Sequence, residues 1–190
     1  MLQILSHTSH TFLVNRMKID NLTIDIFPDR QAMGGQAAAD VSAAIRELLG
    51  RKAEIGMIFA AAPSQNEFLS ALTADSSIPW NRINAFHMDE YIGLSPDAPQ
   101  GFGNFLKERL FDRVPFKEVF YIPKETDDPR SACDTYARLL AGKGVDIVCM
   151  GIGENGHIAF NDPHVADFND PLPVKVVDLD PQCRAQQVHG

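Results

Sequence analysis

The run at 55–62 is apolar at every position, and it restricts the folds open to this chain more than any other stretch. A surface helix keeps a polar face and a half-exposed strand alternates, whereas a strand buried on both faces in the middle of a parallel sheet is apolar throughout. The neighbouring segments complete such a fold. Residues 24–27 read as a short strand, and Asp29 can cap a long helix in which Val41, Ala44, Ile45 and Leu48 recur at helical spacing before Gly50, Arg51 and Lys52 close it. Ser64 with Glu67 three positions later matches a capping box that opens the next helix. Further strands are expected at 84–88, 119–122 and 145–150. Between them lie a helix at about 102–111, with Phe105, Leu106 and Leu110 on one face, and a helix capped by Asp128 with Pro129 at its first position, burying Cys133, Tyr136, Ala137 and Leu140. Strands and helices in alternation are the mark of βαβ units, so an α/β fold around a mostly parallel sheet is expected.

With 190 residues and 45% hydrophobic content the chain can bury one core, and its length favours a single domain. No stretch approaches the roughly 18 consecutive apolar residues of a membrane span, so no membrane partner is expected. The formal net charge of −8 argues against a basic nucleic-acid surface. Cys133, Cys149 and Cys183 are odd in number and form no C-x-x-C pair, which reads as reduced thiols in a cytoplasmic protein rather than a zinc or redox site. Residues 1–16, rich in Ser, Thr and His, read as a disordered or non-native extension without the apolar centre of a secretory signal, and 17–190 as a single α/β domain.

Ligands of open parallel sheets bind beyond the carboxyl ends of the strands, which singles out 62–67, 87–91 and 151–163. Gly151-Ile152-Gly153-Glu154-Asn155-Gly156 matches the G-x-G-x-x-G of a dinucleotide site, but that motif requires a following helix, and Pro163 interrupts within two turns. The glycines read instead as a loop passing close to a ligand. His157, between Asn155 and Asp162, has two neighbours able to orient an imidazole for proton transfer. Asp89 and Glu90 end their strand; one of them, partly buried, can serve as a general base, and spacing alone does not choose between them. The helix start at Ser64, Gln65 and Asn66 offers backbone N–H groups that suit a phosphate, while capping by Ser64 needs no ligand. His7, His10, His87, His164 and His189 have no comparable neighbours and are assigned no role.

Two segments, Phe86-His87-Met88-Asp89-Glu90-Tyr91-Ile92-Gly93-Leu94 and Gly151-Ile152-Gly153-Glu154-Asn155-Gly156-His157-Ile158-Ala159-Phe160-Asn161-Asp162-Pro163, resemble the two signatures of the glucosamine-6-phosphate deaminase (isomerase) family, in the same order. The resemblance spans residues 22 to 190. It implies an open Rossmann-like three-layer sandwich shared with sugar-phosphate isomerases and 6-phosphogluconolactonases. It also implies conversion of an amino-sugar 6-phosphate to a ketose 6-phosphate and ammonia through an enediol-type intermediate, with neither metal nor cofactor. By motif position, Asp89 would be the base that moves a proton between C2 and C1, with Glu90 secondary in the substrate site. His157 would open the sugar ring, held by Asn155 and Asp162. Ser64, Gln65, Asn66, Gly153 and Gly156 would contact the substrate, and a homo-oligomer is expected.

Several positions depart from the family pattern. Asn155 stands where many relatives carry Asp, and a neutral amide orients an imidazole without stabilising its charge. Asp162 replaces the usual Glu, so His157 must sit closer or a water must bridge. Ala61-Ala62-Pro63-Ser64-Gln65 replaces the usual Gly/Thr-rich phosphate loop, and no counterpart of the relatives' phosphate-binding lysine follows Arg184. A domain truncated at its carboxyl end, with an unpaired sheet edge, is therefore expected. A related phosphosugar isomerase or lactonase, and a sugar-phosphate sensor without turnover, are the alternative readings.

Overall fold

The computed structural model of the protein describes residues 13–179. Its centre is a four-stranded parallel sheet in the order β5-β4-β3-β6, built from β3 (Ile55–Phe59), β4 (Ile83–His87), β5 (Glu118–Phe120) and β6 (Ile147–Cys149). β3 and β4 occupy the middle. All five residues of β4 are buried, and four of β3 are, as a strand covered on both faces requires.

One face carries α1 (Arg30–Leu49), α2 (Asn66–Ala74) and α3 (Phe102–Leu106), the last continued by a π turn over Lys107–Phe111. Ala38, Ile45, Leu49, Phe68, Leu69, Leu72, Leu106 and Leu110 pack there against Ile55, Met57, Phe59, Ile83 and Ala85 in one apolar core. The other face is covered by α4 (Pro129–Lys143), whose buried residue is Tyr136. Tyr136 meets Phe86 edge to face, with ring centroids 5.8 Å apart, and Phe86 stacks on Phe120. The caps at Asp29 and Asp128 form as expected, each carboxylate accepting a first-turn amide, Ala32 N at 2.7 Å and Ser131 N at 3.1 Å.

The first strands depart from the expected pattern. β1 (Asn15–Ile19) and β2 (Leu22–Ile26) form a separate antiparallel hairpin, and β2 does not join the parallel sheet. The fold thus begins before Met17: Asn15 and Arg16 belong to β1, and the Arg16 guanidinium holds Asp25 by two bonds of 2.6 and 2.7 Å across the ladder. The expected disorder of residues 1–12 lies outside the described residues, as does everything expected of 180–190. The capping box at Ser64 does not form. Ser64 sits in a 3-10 turn (Pro63–Gln65), and Glu67 turns to Arg30 in a two-pronged ion pair of 2.8 and 3.0 Å, since packing of α1 on α2 brings a guanidinium within reach. Cys133, Ala137 and Leu140 are only partly buried, because α4 presses one residue, Tyr136, deep into the sheet.

The chain lays down β3, β4 and β5 outward in one direction and then returns through α4 to place β6 on the opposite side of β3. The reversal between β3 and β6 is a topological switch point, where the loops diverge and leave a crevice at the carboxyl ends of the strands.

Candidate active site at the switch point

The strands beside that crevice end level. Met88 N donates to Phe59 O at 3.0 Å, and Ala60 N to Cys149 O at 2.8 Å, so the loops after β3, β4 and β6 leave the sheet side by side. With neighbouring strands about 5 Å apart, the loops after β4 and β6 start about 10 Å from each other. They also touch: Phe160 lies 5.3 Å from Tyr91 and 5.7 Å from Phe102, centroid to centroid.

The β6 loop assembles around His157. Its Nδ1 is 2.6 Å from Asn155 Oδ1 and 3.2 Å from Asp162 Oδ1, and the Asn155 amide donates to the same Asp162 oxygen at 3.0 Å. Asp162 is fully enclosed. Both oxygens facing Nδ1 are acceptors, so the proton of the neutral ring sits on Nδ1 and the lone pair on Nε2. Asp162 therefore reaches the imidazole directly despite its shorter side chain, and it supplies the negative charge that Asn155 lacks.

Gly153 makes room for this ring. A Cβ at position 153 would lie 2.3–2.7 Å from three atoms of the imidazole, a separation no side chain tolerates. Gly156 takes φ +86° in the turn between Asn155 and His157, a conformation that favours glycine. Both glycines, expected as substrate contacts, serve the packing and turning of the loop. No helix follows the motif among the described residues.

The two carboxylates after β4 sit in opposite environments. Glu90, expected beside the substrate, is enclosed: its side chain is 1% exposed, and its oxygens accept from Tyr91 N at 3.0 Å, Phe102 N at 3.0 Å and Gly103 N at 2.9 Å. It caps α3, which has no local side-chain cap, because first-turn amides attract a carboxylate. Asp89 has no hydrogen bond to its carboxylate among the described residues, and burial, followed by repulsion from Glu90, pushes its pKa up to about 7.

Ser64, Gln65 and Asn66 line the β3 side of the crevice. A Cβ at Gly151 would lie 3.5 Å from Gln65 Nε2 and 3.9 Å from Ser64 Oγ, so the β6 loop runs directly past them. Asn66 is engaged, its Oδ1 accepting from Arg109 Nε at 3.1 Å.

His87 escaped the sequence reading. It is 1% exposed, its Nδ1 is 3.0 Å from the Asp89 carbonyl oxygen, and its Nε2 accepts from Ile122 N at 2.8 Å. Burial lowers its pKa, and the ring is neutral. An ionisable side chain at the end of a buried strand was the available signal, since such a polar group must find partners. His164 bonds the Asp178 carbonyl at 3.1 Å, away from this cluster, and His7, His10 and His189 lie outside the described residues. Cys133 and Cys149 are free thiols, and burial pushes Cys149 up to about 12; Cys183 lies outside the described residues.

Comparison with known proteins agrees with this fold. Residues 28–178 match the model of the family described as glucosamine-6-phosphate isomerases/6-phosphogluconolactonase. A glucosamine-6-phosphate deaminase of Exiguobacterium sp. is 46% identical over 86 residues, 45% of this chain and 34% of that protein. One from Streptococcus pneumoniae is 33% identical over 136 residues, 71% of this chain and 55% of that protein. The chain thus spans between about a third and just over half of these relatives. Among solved structures, a monomeric glucosamine-6-phosphate deaminase of the NagB superfamily superimposes with a TM-score of 0.73 at 26% identity, over 83% of this chain and 65% of that one. A 6-phosphogluconolactonase from Thermotoga maritima gives 0.60 at 25% identity, over 66% and 58%. No helix among the described residues is long and apolar enough to cross a membrane. The parallel sheet with its switch point, the two loops that meet there and the match over 28–178 together assign the chain to the glucosamine-6-phosphate isomerase/6-phosphogluconolactonase family.

Proposed function

We propose that the protein is an amino-sugar-6-phosphate deaminase/isomerase acting on glucosamine 6-phosphate or an epimer. The observation that carries this reading is the contrast between the two proton-transfer groups on adjoining loops. The Asp89 carboxylate has no hydrogen bond among the described residues and is pushed up to about 7 by burial, and His157 is held through Nδ1 by Asn155 and Asp162 with the lone pair on Nε2.

The chemistry follows from those states. Nε2 takes the proton of the anomeric hydroxyl and returns it to the ring oxygen, which opens the ring; the Asp162 carboxylate stabilises the imidazolium formed in between. Asp89, as carboxylate, removes the proton from C2 and delivers it to C1, while O1 gains a proton and the C2 nitrogen loses one. The resulting C2 imine is hydrolysed by water to a ketose and ammonia. A base titrating near 7 is half ionised near neutrality, the condition under which one group both takes up and releases a proton efficiently. Ser64, Gln65 and the first amides of α2 would hold the phosphate. In the same reading the chain self-associates, and the exposed Val148 of β6, with Met150 and Ile152 exposed in the loop that follows it, support that.

Incubation of the full-length protein with glucosamine 6-phosphate and galactosamine 6-phosphate, with ammonia assayed, tests the proposal. Ammonia from either supports it; none from both, with the circular dichroism of a folded α/β protein, rejects it. A lactonase is the second reading, because the Asn155-His157-Asp162 unit can also activate a water against a lactone carbonyl. In that case 6-phosphogluconolactone is hydrolysed and Asp89→Asn leaves the rate unchanged.

A further inference from the structure

The carboxylate of Asp89 has no hydrogen bond among the described residues, so no such bond at its own end fixes its direction. Its aim has to come from the backbone that carries it. That backbone is held at the Asp89 carbonyl by the imidazole of His87, at 3.0 Å from Nδ1.

The two partners fix the state of the ring. An amide N–H can only donate, so Nε2, 2.8 Å from Ile122 N, carries the lone pair; a carbonyl can only accept, so Nδ1 carries the proton. The ring is thereby saturated at both ends by backbone from two different loops, those after β4 and β5. Its own position is fixed as well: the Tyr136 hydroxyl donates to His87 O at 2.9 Å and accepts from His87 N at 3.1 Å, tying the last residue of β4 to the buried centre of α4. On the far side of Asp89, Glu90 is anchored by the amides of α3. Among the described residues the Asp89 carboxylate has no such tie, while His87 two positions before it and Glu90 directly after it are bound to the scaffold.

We infer that His87 is a positioning residue, whose Nδ1–H holds the Asp89 carbonyl and through it sets the direction of the Asp89 carboxylate. The inference rests on the reading of Asp89 as the base. An imidazole does here what neither amide side chain does alone. Asparagine places a donor near Nδ1 and can keep the bond to Asp89 O, but it is too short for Ile122 N. Glutamine places an acceptor near Nε2 and can keep the bond to Ile122 N, while losing Asp89 O.

The pair His87→Asn and His87→Gln in the full-length protein tests this. Each loses one buried hydrogen bond, so their thermal stabilities fall together. If Asp89 is positioned through Nδ1, kcat with glucosamine 6-phosphate falls at least about tenfold in His87→Gln at near-constant KM, and much less in His87→Asn. The titration of the Asp89 carboxyl, followed by its 13C shift, reads the same geometry without turnover. It stays near the wild-type value in His87→Asn and drops toward the ordinary carboxylate range in His87→Gln. Equal titrations in the two variants, or kcat losses that merely follow their losses of stability, overturn the inference. Absence of ammonia release by the wild type overturns the functional reading instead, and the titrations still decide the role of His87.

Discussion

His157 Nδ1 stands 3.2 Å from an oxygen of Asp162, a carboxylate whose side chain is only 1% exposed. A charge so enclosed is stable only beside a partner, and the imidazole becomes a better partner each time it gains a proton. Replacement Asp162→Asn keeps the shape and removes the charge. We expect kcat to fall roughly 100-fold with KM little changed, as steady-state kinetics will measure.

A methyl group at position 153 tests the space under the ring. In Gly153→Ala the added carbon falls 2.3–2.7 Å from the imidazole, which must swing away from Asn155 and Asp162. Activity should drop on the order of 100-fold, while thermal unfolding shifts by no more than about 1 kcal/mol equivalent, since the loop lies at the surface.

Asp89 links stability to pH. Its native pKa of about 7 exceeds the unfolded value near 3.8, so between those limits the unfolded chain has released a proton that the native state still holds. This contribution is fully present below the unfolded value and is lost as pH rises through the native one. Asp89→Asn removes the penalty: its unfolding free energy should match the wild type near pH 4 and exceed it by roughly 2 kcal/mol near pH 8. Urea titrations at both pH values check the sign. In the wild type, kcat/KM should rise as pH passes through about 7.

Glu90 contributes to that raised value after burial, and it also caps α3. Glu90→Gln keeps an acceptor for the amides but removes the charge, so the acid limb of the pH–rate profile should move below its wild-type position. Glu90→Ala removes the acceptor that Phe102 N and Gly103 N share at the start of α3, and a loss of about 3 kcal/mol is expected by chemical denaturation.

The sequence by itself determined the class of fold, because buried parallel strands must be apolar throughout and their helices must be patterned and capped; 55–62, Asp29 and Asp128 each conveyed this locally. It also pointed to the loops proposed to carry the chemistry, since carboxyl strand ends can be read from strand positions alone. It carried His157, Asn155 and Asp162 as a group because they lie within eight residues of one another on a single loop. What lay beyond it were relations between distant segments. Ser64 and Glu67 fit a capping box until α1 brought Arg30 to Glu67, and residues 24–27 read as part of the parallel sheet until the hairpin took them. Asp89 and Glu90 are adjacent in sequence and chemically alike. They differ because the amides of α3, twelve and thirteen residues from Glu90, bond that carboxylate, whereas the Asp89 carboxylate has no hydrogen bond among the described residues. His87 remained silent for the same reason: its partner Ile122 is 35 residues distant. A carboxylate or an imidazole acquires its role from the groups that desolvate and bond it, and only the tertiary structure brings those groups together.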